Sequence, residues 1–282
     1  MLFGKYRPVF KGIGTFKAVE DVDKRVSNRT YSNDNNPDGK IKNVVFYLDT
    51  GEDGQFKLEY TGFNSNVTAF DKKNRENKKT LKYGEKVDEE FLKTYNVLGA
   101  FTLASQKNEQ TFIYSYEVAE TLEKMYSKWE KTETILEVDG EVKLEAYTPD
   151  GSTTTMITKY IITGIREISK DSFKKNKLEK EFKLTIPAVI KKSEIEALEY
   201  YESPEEASVR IPIYTPIYIR KTKEYIYFQQ ELILSSKYIF GKSFKDNPDL
   251  TASKSIMDMF KTSMIEGNSE YRTIRYEATA IN

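Results

Sequence analysis

Val209–Arg220 reads VRIPIYTPIYIR, and its alternation decides the fold class. Val209, Ile211, Ile213, Thr215, Ile217 and Ile219 fall on one face of an extended chain, and Arg210, Pro212, Tyr214, Pro216, Tyr218 and Arg220 fall on the other. A period of two marks a half-buried β-strand. The outer face shows two tyrosines bracketed by two arginines, the groups that stack unpaired bases and neutralise phosphates. The same pattern also suits an ordinary strand with an amphipathic exterior. Pro212 and Pro216 remove N–H donors from one edge, so the segment reads as an edge strand with one blunted side. Its other edge is expected to pair with Glu224–Leu234 across a turn at Lys221–Lys223, with Tyr225 and Tyr227 facing out.

Further strand candidates are Val9–Val19, Ile41–Asp49, Gln55–Thr61, Asn66–Phe70 and Val97–Leu103. Leu136–Tyr147 alternates most cleanly, and Thr155–Ile168 follows with Gly164 as a bulge or bend. Asn33–Gly39 is a turn-rich loop, and Asp171–Phe182 is a lysine-rich connection. A short helix is expected at Glu85–Thr94. Phe112–Glu130 is a longer one: Val118, Leu122, Met125 and Trp129 form a stripe, Ser115 caps its start, and Trp129 is a core anchor. Ser193–Tyr201 and Ser253–Ile265 are further helix candidates, and Tyr271–Ala280 is a last strand. The reading is therefore mainly β with a few helices, built as tandem small β-barrels. The five-stranded OB barrel fits such blocks. The expected division is residues 1–110 as a first barrel, 111–131 as a connecting helix, 132–240 as a second barrel and 241–282 as a C-terminal extension.

Composition narrows function. The chain of 282 residues has no cysteine and no histidine. Disulfides, thiolate or imidazole metal sites and Ser-His-Asp triads are thereby excluded. Carboxylate pairs, lysines and oxygen-ligated magnesium remain open to catalysis. The acids Glu137, Asp139, Glu141 and Glu145 diverge along one strand and read as a solvated face. Gly12-Ile-Gly14 lacks a dinucleotide frame and reads as strand or turn glycine. No cofactor is implied, and the protein is read as a non-enzyme. No apolar run is long enough to span a bilayer and no secretory signal opens the sequence, so a cytoplasmic setting without membrane contact is expected. Lys+Arg and Asp+Glu are equal at 44 each, so attraction to a polyanion must come from local clustering. Twenty Tyr and sixteen Phe suit a β-rich binding surface, a virus assembly protein or a biased genome.

Two clusters join rings to cations, and a third is purely basic. Arg25, Arg29 and Tyr31 follow the first strand. Lys72, Lys73 and Arg75 follow the strand ending at Phe70. Arg210, Tyr214, Tyr218 and Arg220 line the opening stretch. Each alone is also an ordinary solvated loop or face.

The order GIGTFKAVED, KNVVFYLDT, FKLEYTGF, VTAFDKKNRENKK, then a helix, ILEVDGEVKLEAY and KYIITGIREI resembles the replication-associated OB-fold single-stranded-DNA-binding proteins of tailed bacteriophages, over roughly residues 10–170. The resemblance implies non-catalytic coating of single-stranded DNA in phage replication or recombination, in the host cytoplasm, with other phage replication proteins and homo-oligomers as compatible partners. The alternative is a structural component of a phage particle (tail, baseplate or capsid), located in the virion, with the tandem β-domains making subunit contacts.

Overall fold

The computed structural model describes residues 8–33, 36–105, 108–147, 155–196, 201–203, 206–219, 224–235, 255, 258–259, 261–263 and 270–279. By contact the chain divides into two units. One comprises residues 8–143, 158–184 and 278–282, and the other comprises 1–7, 144–157 and 185–277. The fold is mainly β with a few helices, as expected.

The larger unit begins with β1 (Val9–Ala18), β2 (Val26–Asn33), β3 (Asn36–Asp49) and β4 (Gln55–Phe63). After it come the short elements β5 (Val67–Asp71), β6 (Lys78–Leu81), α1 (Glu89–Thr94), β7 (Tyr95–Val97), β8 (Phe101–Ala104) and β9 (Glu109–Phe112). The chain continues through α2 (Ser115–Thr132), β10 (Ile135–Tyr147), β11 (Thr155–Ile168) and α3 (Lys170–Lys175) into β12 (Glu181–Lys191).

Five of these strands form a closed circuit. β1 pairs antiparallel with β10 from Val9↔Glu141 to Thr15↔Ile135, then with β3 from Thr15↔Asp49 to Ala18↔Phe46. β3 pairs antiparallel with β4, β4 pairs parallel with β11 through Leu58 and Glu59, and β11 neighbours β10. A three-strand meander, a helix, two more strands, and a parallel pairing of the third strand with the fifth make an OB-type barrel. Alternation fills it: Val44, Phe46 and Leu48 of β3 and Phe56, Leu58 and Tyr60 of β4 are buried. Gly12 and Gly14 are required where β1 changes partner. A Cβ at Gly14 would lie 2.7 Å from the Asp49 carbonyl oxygen, and one at Gly12 would meet Leu48 at 2.6 Å.

Helix α2 seals the barrel. Val118, Ala119, Leu122, Tyr126 and Trp129 are its buried face, and a left-handed residue, Glu133 (φ 46°), ends it. Trp129 packs on Phe16 and Phe46, at centroid distances of 5.6 and 6.2 Å. Its indole N–H donates to Glu167 at 2.6 Å. A second aromatic cluster stacks Phe182 between Phe56 (4.0 Å) and Phe10 (5.0 Å), with Tyr160 edge-on.

The second unit holds α4 (Lys192–Glu196), β13 (Tyr201–Ser203), β14 (Glu206–Ile219), β15 (Glu224–Ser235) and β16 (Tyr271–Thr279). β14 and β15 pair antiparallel from Ser208↔Ser235 to Ile219↔Glu224, as the alternation predicts. Val209, Ile211, Ile213, Thr215 and Ile217 are buried. On its other edge β14 meets β13 through Glu206–Ser208 and β12 through Tyr214↔Val189, the latter position flanked by Pro212 and Pro216.

Several expectations need correction. β10 and β11, read as the start of a second barrel at residue 132, close the first, and α2 is part of that barrel, not a connector over 111–131. The boundaries between units fall inside β10, β11 and β12. β12 was hidden because Pro187 and the lysines on either side disguise its alternation, yet Phe182, Ile186, Ala188 and Ile190 are buried. β2, read as loop, is a strand of polar residues held by β3. Val97–Leu103 is broken at Gly99 (φ 79°). Ser115 does not cap α2; its hydroxyl accepts from the Phe63 N–H and donates to the Phe63 carbonyl. Most of the extension 241–282 and the turn Lys221–Lys223 lie outside the described residues.

Gly140 tests the closure. A Cβ there would overlap the Phe10 ring and the Ile161 carbonyl. Gly140→Ala is expected to lower stability by about 1–3 kcal/mol, read as an earlier urea midpoint, because the packed strands cannot move apart freely.

Candidate nucleic-acid interface

The barrel's outer face follows from its inner one. Paired residues on neighbouring strands share a face. With Phe46 and Leu58 inside, Tyr47 points out, registered between Lys17 of β1 and Lys57 of β4. Tyr47 and Lys17 are half-exposed and Lys57 is exposed. Lys24 joins them: its pKa is raised, first by its bond to Asp21, with the Tyr47 phenol contributing. Lys57 pairs with Glu59 at 3.2 Å on the surface. Such an exposed pair is worth about 0–1 kcal/mol, so a phosphate competes for it readily.

A second row lies further along the same face. Arg29 of β2, Ile41 of β3 and Phe63 of β4 are in register. Arg29 is exposed and Phe63 is 39% exposed. Tyr31 packs edge-on against Phe63 at 6.3 Å and covers Gly39, where a Cβ would lie 2.5 Å from the ring. The Tyr31 hydroxyl accepts from the Asn36 amide at 3.2 Å. Tyr47 and Ile41 are six positions apart along β3, so the two rows are separated by about 20 Å.

Of the residues singled out from sequence, Arg29 and Tyr31 belong to this face. Arg25 does not present its charge. Its Nε donates to the Val19 carbonyl at 2.7 Å, its guanidinium meets Glu130 at 3.3 Å, and it lies 5.6 Å from the Tyr126 ring centre. Lys72, Lys73 and Arg75 sit in the connection between β5 and β6, exposed, in the same unit. Arg210 and Tyr214 lie in the other unit. Arg210 is exposed and pairs with Glu231 at 3.2 Å. The half-buried Tyr214 donates to the Glu194 carboxylate at 2.8 Å, and that bond raises its pKa. The Tyr218 side chain and Arg220 lie outside the described residues. The candidates are thus divided between the two units. Tyr47, Lys17, Lys57 and Phe63 escaped the sequence reading. They became visible only when register set β1, β3 and β4 side by side.

The loop joining β1 to β3 carries Arg25, β2 and a 3₁₀ turn, Val22–Lys24, and Tyr126 pins it. The Val19 N–H donates to the Tyr126 hydroxyl (3.0 Å), which donates to the Val45 carbonyl (3.1 Å). The corresponding loop between β10 and β11, residues 148–154, lies outside the described residues.

A separate groove of about 730 Å³ is lined by residues including Ile13, Glu137, Arg166, Glu167 and Ser169. Two of its carboxylates are engaged: Glu137 with Lys11 at 2.7 Å and Arg166 at 3.7 Å, and Glu167 with Lys128 and Trp129. Among the described residues no group of three or more His, Cys, Asp or Glu is placed to hold a metal. Among them, too, no helix is long and apolar enough to cross a membrane.

Fold and surface together define an OB-type barrel with an aromatic and cationic outer face on its second and third strands. No family model matches the chain, and no curated protein matches it. Among solved structures it is similar to a deletion mutant of the single-stranded DNA binding protein from Thermus aquaticus, at 9% identity and a TM-score of 0.34, covering 98% of this chain and 90% of that chain.

Arg25→Gln should act on stability. The expected result is a lower thermal midpoint, corresponding to about 1–3 kcal/mol of stability for the lost partly buried bonds.

Proposed function

We propose that this protein is a non-catalytic single-stranded-DNA-binding protein, acting in the cytoplasm of a bacterial host in phage DNA replication or recombination. The observation that carries the reading is Tyr47 set between Lys17 and Lys57 on the outer face of an OB-type barrel. In OB barrels that face, with the loops beside it, takes up oligonucleotides. Support for the phage setting comes from the resemblance of segments such as GIGTFKAVED and KYIITGIREI to phage replication proteins.

The chemistry follows from the two rows. Tyr47 offers one platform for an unpaired base, and Phe63 with Tyr31 offers another about 20 Å away along the strand. Lys17, Lys24, Lys57 and Arg29 neutralise the phosphates between and beside them. Stacking accepts any base because every base has a π-face, which suits coating without sequence choice. Duplex DNA keeps its bases stacked inside and satisfies only the cations. The stacking role passes from Tyr214 and Tyr218 to Tyr47, Tyr31 and Phe63, since the Tyr214 hydroxyl is held by Glu194.

A second reading, a component of the phage particle, is favoured by the exposed Tyr227 (54%) and Ile233 (47%) on β15. Recovery of the chain in purified particles, and not on immobilised single-stranded DNA, would select it.

Tyr47→Ala is expected to weaken oligo-dT binding by about 1–3 kcal/mol, roughly 5- to 150-fold, without shifting the urea midpoint. Fluorescence anisotropy at fixed salt measures it. Unchanged affinity overturns the assignment of this face.

A further inference from the structure

Several cations of the barrel are drawn into ion pairs. Lys11, Arg25, Lys42, Lys57, Lys128 and Arg166 each face a carboxylate. The hairpin β5–β6 departs from this. Lys72, Lys73, Arg75, Lys78 and Lys79 are all exposed, and none of them forms an ion pair within 4.0 Å. The acids nearby in sequence are Asp71 and Glu76. Asp71 is turned inward to build the loop. Its carboxylate accepts the N–H groups of Lys73 (2.8 Å) and Asn74 (3.3 Å) and the Asn77 amide. The backbone bond from Lys73 is the first cause holding its pKa below the usual carboxylate range. One carboxylate therefore fixes the arc on which the cations are displayed.

The hairpin also lacks a free platform for a base. Phe91 and Tyr95 stack on one another at 4.6 Å, and the Lys79 ammonium lies 4.6 Å from the Tyr95 ring centre. The Lys78 ammonium lies 5.6 Å from that of Phe70. Cation–π contact steadies each ammonium while leaving its remaining donors to solvent. The base is rigid: Leu81, Ile113 and Tyr114 form a small core with Val67, Val87, Phe91, Leu92 and Val97. The Tyr114 hydroxyl is bonded between the carbonyls of Lys82 (2.6 Å) and Glu85 (2.8 Å).

We infer that the β5–β6 hairpin is a second binding site, one that takes the sugar–phosphate backbone of a nucleic-acid strand by charge alone, without reading its bases. It rests on the barrel reading in one respect, that the same strand is held by both. The polypeptide passes from Phe63, in the second row of the barrel face, into β5 within a few residues. A strand laid along β3 and β4 toward Phe63 is thus led to the hairpin.

The test uses the full-length protein, the wild type, the Tyr47→Ala variant and a quadruple variant, Lys73→Gln, Arg75→Gln, Lys78→Gln and Lys79→Gln. Lys72 is left in place because its ammonium donates to the Leu92 carbonyl at 2.7 Å. The probes are oligo-dT and an abasic deoxyribose-phosphate oligomer of equal length, titrated over a range of salt. Each single-strand phosphate contact contributes about 0.7 to the slope of log affinity against log salt, so the quadruple variant should lose about 3. Its affinity for the abasic oligomer should also fall, to what the barrel cations alone supply, whereas Tyr47→Ala should leave that affinity unchanged. A quadruple variant with wild-type slope and abasic affinity overturns the inference, while Tyr47-dependent dT binding would still uphold the barrel reading. The converse result, abasic binding weakened in the quadruple variant with Tyr47→Ala inert toward dT, upholds the hairpin and sinks the barrel face. A wild type that binds neither probe overturns both. Equal thermal midpoints for wild type and variant show that the substitutions act on binding and not on folding.

Discussion

Everything in the larger unit depends on β1 exchanging partners at Thr15. Up to that residue the strand is bonded to β10, and from it onward to β3. A strand that kept one neighbour would leave an open sheet with two exposed edges. Exchange lets the sheet close, and closure puts Phe46, Leu58 and Leu136 out of water together. It requires a close approach to the Asp49 backbone, which Gly14 permits, and room for the Leu48 and Phe182 side chains, which Gly12 leaves. The outer face is a by-product of the same event. Lys17 stands beside Tyr47 only because the last part of β1 has turned to β3.

Electrical balance of the whole chain is compatible with a polyanion ligand because charge acts locally. Opposite charges within a few ångströms cancel at longer range, and salt screens what is left over about 10 Å. Pairs such as Arg25–Glu130 and Lys42–Glu123 tie elements to α2 and project little field. The surface near Tyr47 and the β5–β6 hairpin keep their cations facing water. A zero sum therefore describes solubility better than it describes partners.

Strands with alternating apolar residues were legible in the sequence, as Gln55–Phe63, Ile135–Tyr147 and Glu206–Ile219 show, because the face they bury is written at every second position. The buried Trp129 was legible for the parallel reason at helical spacing. What escaped was anything decided by a distant partner. β2 has almost no apolar pattern and exists because β3 offers it hydrogen bonds. β12 carries a proline and lysines that read as a connection. The parallel pair β4–β11 joins residues about a hundred positions apart, so no local signal places the later strands in the first barrel. The interface suffered likewise. Arg29 and Tyr31 were found because they cluster in the chain, whereas Lys17, Tyr47 and Lys57 meet only across three strands.

The hydroxyl of Ser115 clasps both the N–H and the carbonyl of Phe63. The two ends of the excursion carrying β5 to β9 are thereby held together at the rim of the barrel. Within that excursion β8 stays bonded to β11, while β5, β6 and β7 pair only with one another in a sheet of their own. Loop-closure entropy grows only slowly with length, so that small sheet makes the rim a natural graft point: it can be lengthened or exchanged over evolutionary time while β8 and the five closed strands go on folding as before.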